Sequence, residues 1–169
     1  MAPVEDDEVR RLKQEFMFKY KGKRIMTRYP QMGVKESRIW TNFLKWVPWG
    51  DIEEIWYAVR VGKPYIPASI LEDPVRRLAV AVTTLRIDAV VWRPMEVWLF
   101  EVKEIANVVA VGQVITYRQY FAHEYQPKRP IKCGIVAEDY KVGILDVLRA
   151  QGISLFVCRD WGCEVVVYE

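Results

Sequence analysis

At 169 residues, 51% of them hydrophobic and 13% aromatic, the chain suits a single domain spanning residues 1–169, with no room for separate catalytic and binding modules. A net charge of +3 and a pI near 8.7 exclude a general polycation, so any field that attracts nucleic acid must be local. The acidic start from Met1 to Glu8 has no apolar stretch behind it and no run reaches membrane-spanning length, so a cytoplasmic protein with no membrane partner is expected.

Residues Glu5 to Lys21 read as a helix, with acids in its first turn, Val9, Leu12, Phe16 and Tyr20 near one face, and Gly22 as its end. Residues 1–32 are therefore expected as an N-terminal helical arm. The stretch from Lys19 to Pro30 interleaves basic and aromatic residues, and Lys23, Arg24 and Arg28 in it are candidate phosphate contacts; a solvated helix end and loop is the competing reading. Glu36 to Trp46 reads as a second helix, stopped by Pro48 and Gly50. Ile52 to Val61 is rich in β-formers and reads as the first core strand. Asp73 to Thr84 reads as a helix or turn, with Asp73 as N-cap and Pro74 at the first helical position.

Two apolar strands follow, Arg86 to Trp92 and Glu96 to Lys103, joined by the short link Arg93-Pro94-Met95, which predicts an antiparallel hairpin. Side chains alternate faces along a strand, so Val97, Leu99, Glu101 and Lys103 share one side, as do Arg86, Asp88 and Val90 on the neighbouring strand. Asp88 is thus expected beside Glu101. A surface ion pair with Lys103 is one reading of these charges; the apolar strands around them favour a functional one, since unpaired buried charge is costly.

Beyond the hairpin, Glu104 to His123 reads as a helix, and Gln113 and Tyr117 share one of its faces. Tyr125 to Pro130 reads as a basic loop, Lys132 to Ala137 as a buried strand, and Lys141 to Gln151 as a helix closed by Gly152. Ile153 to Cys158 and Cys163 to Tyr168 are expected strands joined by the hairpin turn Arg159-Asp160-Trp161-Gly162. Cys133, Cys158 and Cys163 form no CxxC pair and read as buried free thiols. Asparagine occurs only at Asn42 and Asn107, a balance compatible with a thermophilic source. Of seven tryptophans most are expected in the core, while Trp40, Trp46, Trp49 and Trp161 are candidates for a homodimer interface.

Asp88 followed by Glu101-Val102-Lys103 resembles the core motif of the PD-(D/E)XK nucleases, with Ile87 in place of the family's leading proline. The helix segment Gln113 to Tyr117 resembles the QxxxY element of RecB-like members. The resemblance implies an α/β fold of restriction-endonuclease type, a central mixed β-sheet flanked by helices. It also implies a divalent-metal-dependent nuclease acting on DNA, in a virus, mobile element or repair pathway, with Mg²⁺ or Mn²⁺ held by Asp88, Glu101 and the backbone carbonyl of Val102. Lys103 is then expected at the same phosphate, Gln113 at the phosphate or a metal-bound water, and Tyr117 bracing the site. Glu36 is the position to which the family's additional helix-borne acid carries over, with Glu53, Glu54 and Glu72 as rivals. Arg86 reads equally as a phosphate contact or as a partner of Asp88. His123, the only histidine, reads as a helix-end residue. Some RecB-like members hold an iron–sulfur cluster on four cysteines, a set that three cysteines do not supply. A Holliday-junction resolvase is the first enzyme alternative, and a non-catalytic nucleic-acid-binding or assembly module on the same fold is the second.

Overall fold

The computed structural model describes residues 7–66 and 73–169. Their order is α1 (Asp7–Glu15), β1 (Phe18–Lys21), α2 (Val34–Trp46), β2 (Glu54–Val61), α3 (Asp73–Thr83), β3 (Leu85–Arg93), β4 (Glu96–Ala106), α4 (Val108–Tyr125), β5 (Ile131–Tyr140), α5 (Leu145–Gln151), β6 (Ile153–Arg159) and β7 (Gly162–Val167), with a 3₁₀ turn before α5. The strands form one seven-stranded sheet in chain order from β1 to β7. β4, β5 and β6 are parallel neighbours, connected through α4 and α5, and every other neighbouring pair is antiparallel. The architecture is α/β: a central mixed sheet flanked by helices.

Each face of the sheet buries its own core. On one, Trp40, Phe43 and Leu44 of α2 pack against Ile55, Tyr57, Trp98, Phe100 and Phe156. On the other, Val114, Tyr117 and Phe121 of α4 and Leu148 of α5 cover Val59, Ile87, Val97, Leu99 and Ile135. The α2 face is aromatic enough to need space beneath it. A Cβ on Gly134 would stand 2.6 and 2.9 Å from ring carbons of Phe100, which stacks on Trp98 at 5.5 Å. Gly134→Ala is therefore expected to destabilise the chain by about 1–3 kcal/mol through overpacking, read from urea denaturation midpoints.

Several sequence expectations change here. The first helix stops at Glu15, not Lys21, because Phe18–Lys21 pairs along β2 as an edge strand, Lys19 opposite Trp56 and Tyr20 opposite Ile55. The described part of residues 1–32 is no appended arm, since Tyr29 and Met32 are buried in the α2 core. β4 continues through Glu104 to Ala106, so the next helix starts at Val108; Asn107 caps it, its side-chain oxygen accepting the backbone N–H of Val109 and Ala110 at 3.1 and 3.2 Å. The helix then runs past His123 to Tyr125. The cap role expected of Asp73 concerns a side chain outside the described residues.

The cysteine reading is also corrected. Cys158 and Cys163 are joined by a disulfide, and only Cys133 is a free, buried thiol. The two occupy directly opposed positions of the β6–β7 hairpin, with Cα atoms 4.1 Å apart, within reach of a bridge. Trp40 and Trp49 are core residues and line no dimer surface, whereas Trp46 and Trp161 are exposed.

Candidate functional site

Asp88 sits where the regular sheet is interrupted. In β2, Ile55 and Tyr57 face the α2 core, yet Val59 and Val61 face the opposite one. The strand changes phase at Ala58, whose φ of 56° is left-handed and rare for a residue with a Cβ. β3 changes phase with it, Ile87 lying with the α4 core and Ala89 with the α2 core, and the pairing passes from Tyr57↔Ala89 to Val59↔Ile87 without including Ala58 and Asp88. The simple alternation that placed Arg86, Asp88 and Val90 on one face therefore does not hold. Regular pairing of β3 with β4 ends at Ala89↔Phe100.

Beyond that last pair, the Asp88 carboxylate substitutes for the missing ladder. Its Oδ2 accepts the backbone N–H of Val102 at 2.9 Å. A strand residue points its N–H and C=O to the same side, so the Val102 carbonyl also faces the Asp88 side, where no strand partner takes it. Glu101 lies against α4: the Tyr117 hydroxyl donates to its Oε2 at 2.9 Å, and Lys103 Nζ stands 3.5 Å from its Oε1. Asp88 and Glu101 lie close enough for each carboxyl to act on the other's proton affinity.

Both carboxyls hold their protons more tightly than ordinary ones. Burial is the first cause for each, and the neighbouring Asp88 charge adds to it at Glu101. The Val102 N–H opposes the shift at Asp88, and the Tyr117 hydroxyl opposes it at Glu101. The Tyr117 hydroxyl is in turn pushed up by its own burial and by Glu101, so it acts as a hydrogen-bond donor. Two carboxylates that resist ionising side by side form a setting that a bound cation relieves.

The pair opens into a cleft of about 290 Å³ lined by Glu36, Arg86, Lys103, Gln113 and Tyr117, among others. Thus Asp88, Glu101, Val102, Lys103, Gln113, Tyr117, Arg86 and Glu36 all border one space. Gln113 Oε1 is buried and has no hydrogen-bond partner among the described residues. Arg86 makes no ion pair with Asp88 among the described residues; it donates to Gln31 Oε1 at 3.3 Å and draws on Asp88 only through its charge. Glu36 lines the cleft, but among the described residues no three His, Cys, Asp or Glu side chains gather into an ion-holding group. The oxygens here that could hold an ion are two carboxylates and a main-chain carbonyl, a set whose chemistry fits hard Mg²⁺ or Mn²⁺ with water completing the shell.

The rival acids are engaged elsewhere. Glu53 pairs with Arg129 at 2.7 Å and Glu54 accepts the Trp56 indole N–H at 2.9 Å; Glu72 lies outside the described residues. Lys23, Arg24 and Arg28 are exposed on the loop between β1 and α2, Arg24 over the Tyr20 ring at 5.4 Å. That loop ends at Gln31 and Met32, which line the cleft. Gln31 was not among the residues picked out from sequence. Its only local signal is the preceding Pro30, which marks a turn without marking a function.

Among the described residues no helix is long and apolar enough to cross a membrane. No protein-family model, no curated protein and no solved structure matches the chain.

Proposed function

We propose that this chain is a nuclease of the PD-(D/E)XK kind, hydrolysing phosphodiester bonds in DNA with Mg²⁺ or Mn²⁺ held by Asp88, Glu101 and the Val102 carbonyl. The observation that carries this is the pairing of Asp88 with Glu101 at the opening of the β3–β4 ladder, with Lys103 3.5 Å from Glu101, all bordering one cleft. A divalent ion supplies a nucleophile at neutral pH and offsets charge on the phosphate oxygens. The protein groups do the rest. Lys103 brings its ammonium to the same phosphate, where it stabilises the charge that develops as the bond breaks. Tyr117 fixes the Glu101 carboxylate, and Gln113 offers its unpartnered oxygen to a water in the cleft. The basic loop carrying Lys23, Arg24 and Arg28 supplies a local positive field on an otherwise near-neutral protein.

The test is a cleavage screen of wild type and Glu101→Ala over single strands, nicked and tailed duplexes, a four-way junction and RNA, each with Mg²⁺ or Mn²⁺. Cutting of at least one DNA by wild type alone is expected. Absence of cutting on the whole panel, or equal cutting by Glu101→Ala, rejects the assignment; a preference for the junction identifies a resolvase.

A further inference from the structure

The turn Tyr29-Pro30-Gln31-Met32 is closed by the Met32 N–H donating to Tyr29 O at 3.1 Å, with Gln31 at φ 63°. Proline at the second position and a left-handed residue at the third are the marks of a type II turn, whose third position favours glycine or asparagine. Glutamine has no local reason to be there. It bears the steric cost of its Cβ and gains nothing from burial, being exposed. Its backbone is nonetheless held firmly, because Tyr29 on one side and Met32 on the other are 3% and 6% exposed in the α2 core, and the Tyr29 hydroxyl is bonded to Thr41 Oγ1 at 2.7 Å.

The side chain is what distinguishes glutamine from glycine at this turn, and it meets Arg86. Arg86 Nη1 donates to Gln31 Oε1 at 3.3 Å, and both residues line the cleft that contains Asp88, Glu101 and Lys103. With the Gln31 oxygen facing the guanidinium, its amide nitrogen keeps two N–H donors, and Arg86 retains four of its five. Beside the Lys103 ammonium, the Arg86 guanidinium gives the cleft a second cation with free donors, the complement of phosphate oxygens.

Resting on the nuclease reading above, we propose that Gln31 is a positioning residue: the left-handed turn presents its amide to Arg86 and aims the guanidinium at a phosphate of the nucleic-acid backbone. Arg86 and Gln31 form one grip, whose contribution is to substrate binding and carries no base preference.

The decisive variant is Gln31→Gly, which suits the turn better while removing the amide. A purely structural Gln31 predicts that this change leaves binding intact. The grip predicts an unchanged or raised thermal midpoint together with roughly tenfold weaker binding of a fluorescent DNA, chosen as one that wild type cuts and measured by anisotropy with Ca²⁺ replacing Mg²⁺. Arg86→Ala should weaken binding at least as much, and Gln31→Gly combined with Arg86→Ala should be no weaker than Arg86→Ala alone, because the amide acts through the guanidinium. The slope of log affinity against log salt should fall by about one phosphate contact in Arg86→Ala. If wild type binds and cuts while Gln31→Gly keeps wild-type affinity, or the two losses add, the grip is refuted and the nuclease reading survives. If wild type neither binds nor cuts any nucleic acid, both fall together.

Discussion

Glu101→Gln is expected to abolish cleavage and, at the same time, to make the metal-free protein more stable. On the proposed reading, loss of one of the two carboxylates that would hold the ion removes several kcal/mol of transition-state stabilisation, at least about 10³-fold in rate. The gain in stability follows from the proton affinities of the pair. Asp88 and Glu101 both bind protons more tightly in the folded chain than in the unfolded one, Asp88 through burial and Glu101 through burial and the neighbouring Asp88 charge. Their contribution to stability is therefore full below the ordinary carboxylate range, near pH 4, and is lost as the pH rises through their raised folded-state values. A glutamine at 101 does not ionise, still accepts the Tyr117 hydroxyl, and relieves Asp88 of its like-charged neighbour. At pH 8 without divalent ions the variant should exceed wild type by about 1–3 kcal/mol in urea unfolding, and at pH 4 the two should converge. Equal stabilities at both pH values would mean that the pair carries no repulsion.

Glu124→Ala should produce the largest loss of stability outside the aromatic cores. Lys13 on α1 and Glu124 on α4 form a buried ion pair, their side chains 4% and 13% exposed, and the same carboxylate accepts the backbone N–H of Gly62 at 3.0 Å. One carboxylate therefore ties α1 and the end of β2 to α4. Its removal deprives a buried ammonium of this counter-charge and a backbone donor of its acceptor, for a loss of about 3–5 kcal/mol. The double variant Lys13→Met with Glu124→Leu should recover most of that loss, because apolar side chains of similar size need no counter-charge. A Glu124→Ala loss below about 1 kcal/mol in chemical denaturation would show that the pair is solvated in solution.

How far the sequence revealed this molecule depends on the kind of signal. The β3–β4 hairpin, α2, α5 and the β6–β7 hairpin were legible because turn residues and apolar periodicity agree there: Arg93-Pro94-Met95 for the first hairpin, Pro48 with Gly50 after α2, Gly152 after α5. The first helix was overextended because Phe16 and Tyr20 continue its apolar stripe, and only the pairing of Phe18–Lys21 with β2 draws that segment into the sheet. The Cys158–Cys163 bridge had a readable clue, since the two cysteines flank the turn symmetrically, but counting cysteines without placing them in the hairpin register hid it.

The environment of Asp88 was the least legible part. Strict alternation placed it beside Glu101, and the two do meet, but by a different route: a phase change at Ala58 that no glycine announces, copied into β3 at Asp88. Local propensity does not encode such a step, because it depends on how two neighbouring strands settle together. The same holds for Lys13, a charged residue on a helix, which gives no sign of burial until α4 delivers Glu124.

The central claim is that Asp88 and Glu101 share one divalent ion, and a crystal soaked in Mn²⁺ and recorded at the manganese absorption edge tests it most directly. The account predicts one anomalous peak about 2.0–2.2 Å from an oxygen of each carboxylate and from the Val102 carbonyl oxygen, absent from Glu101→Gln crystals. An empty position between the two carboxyls at saturating Mn²⁺ would contradict it.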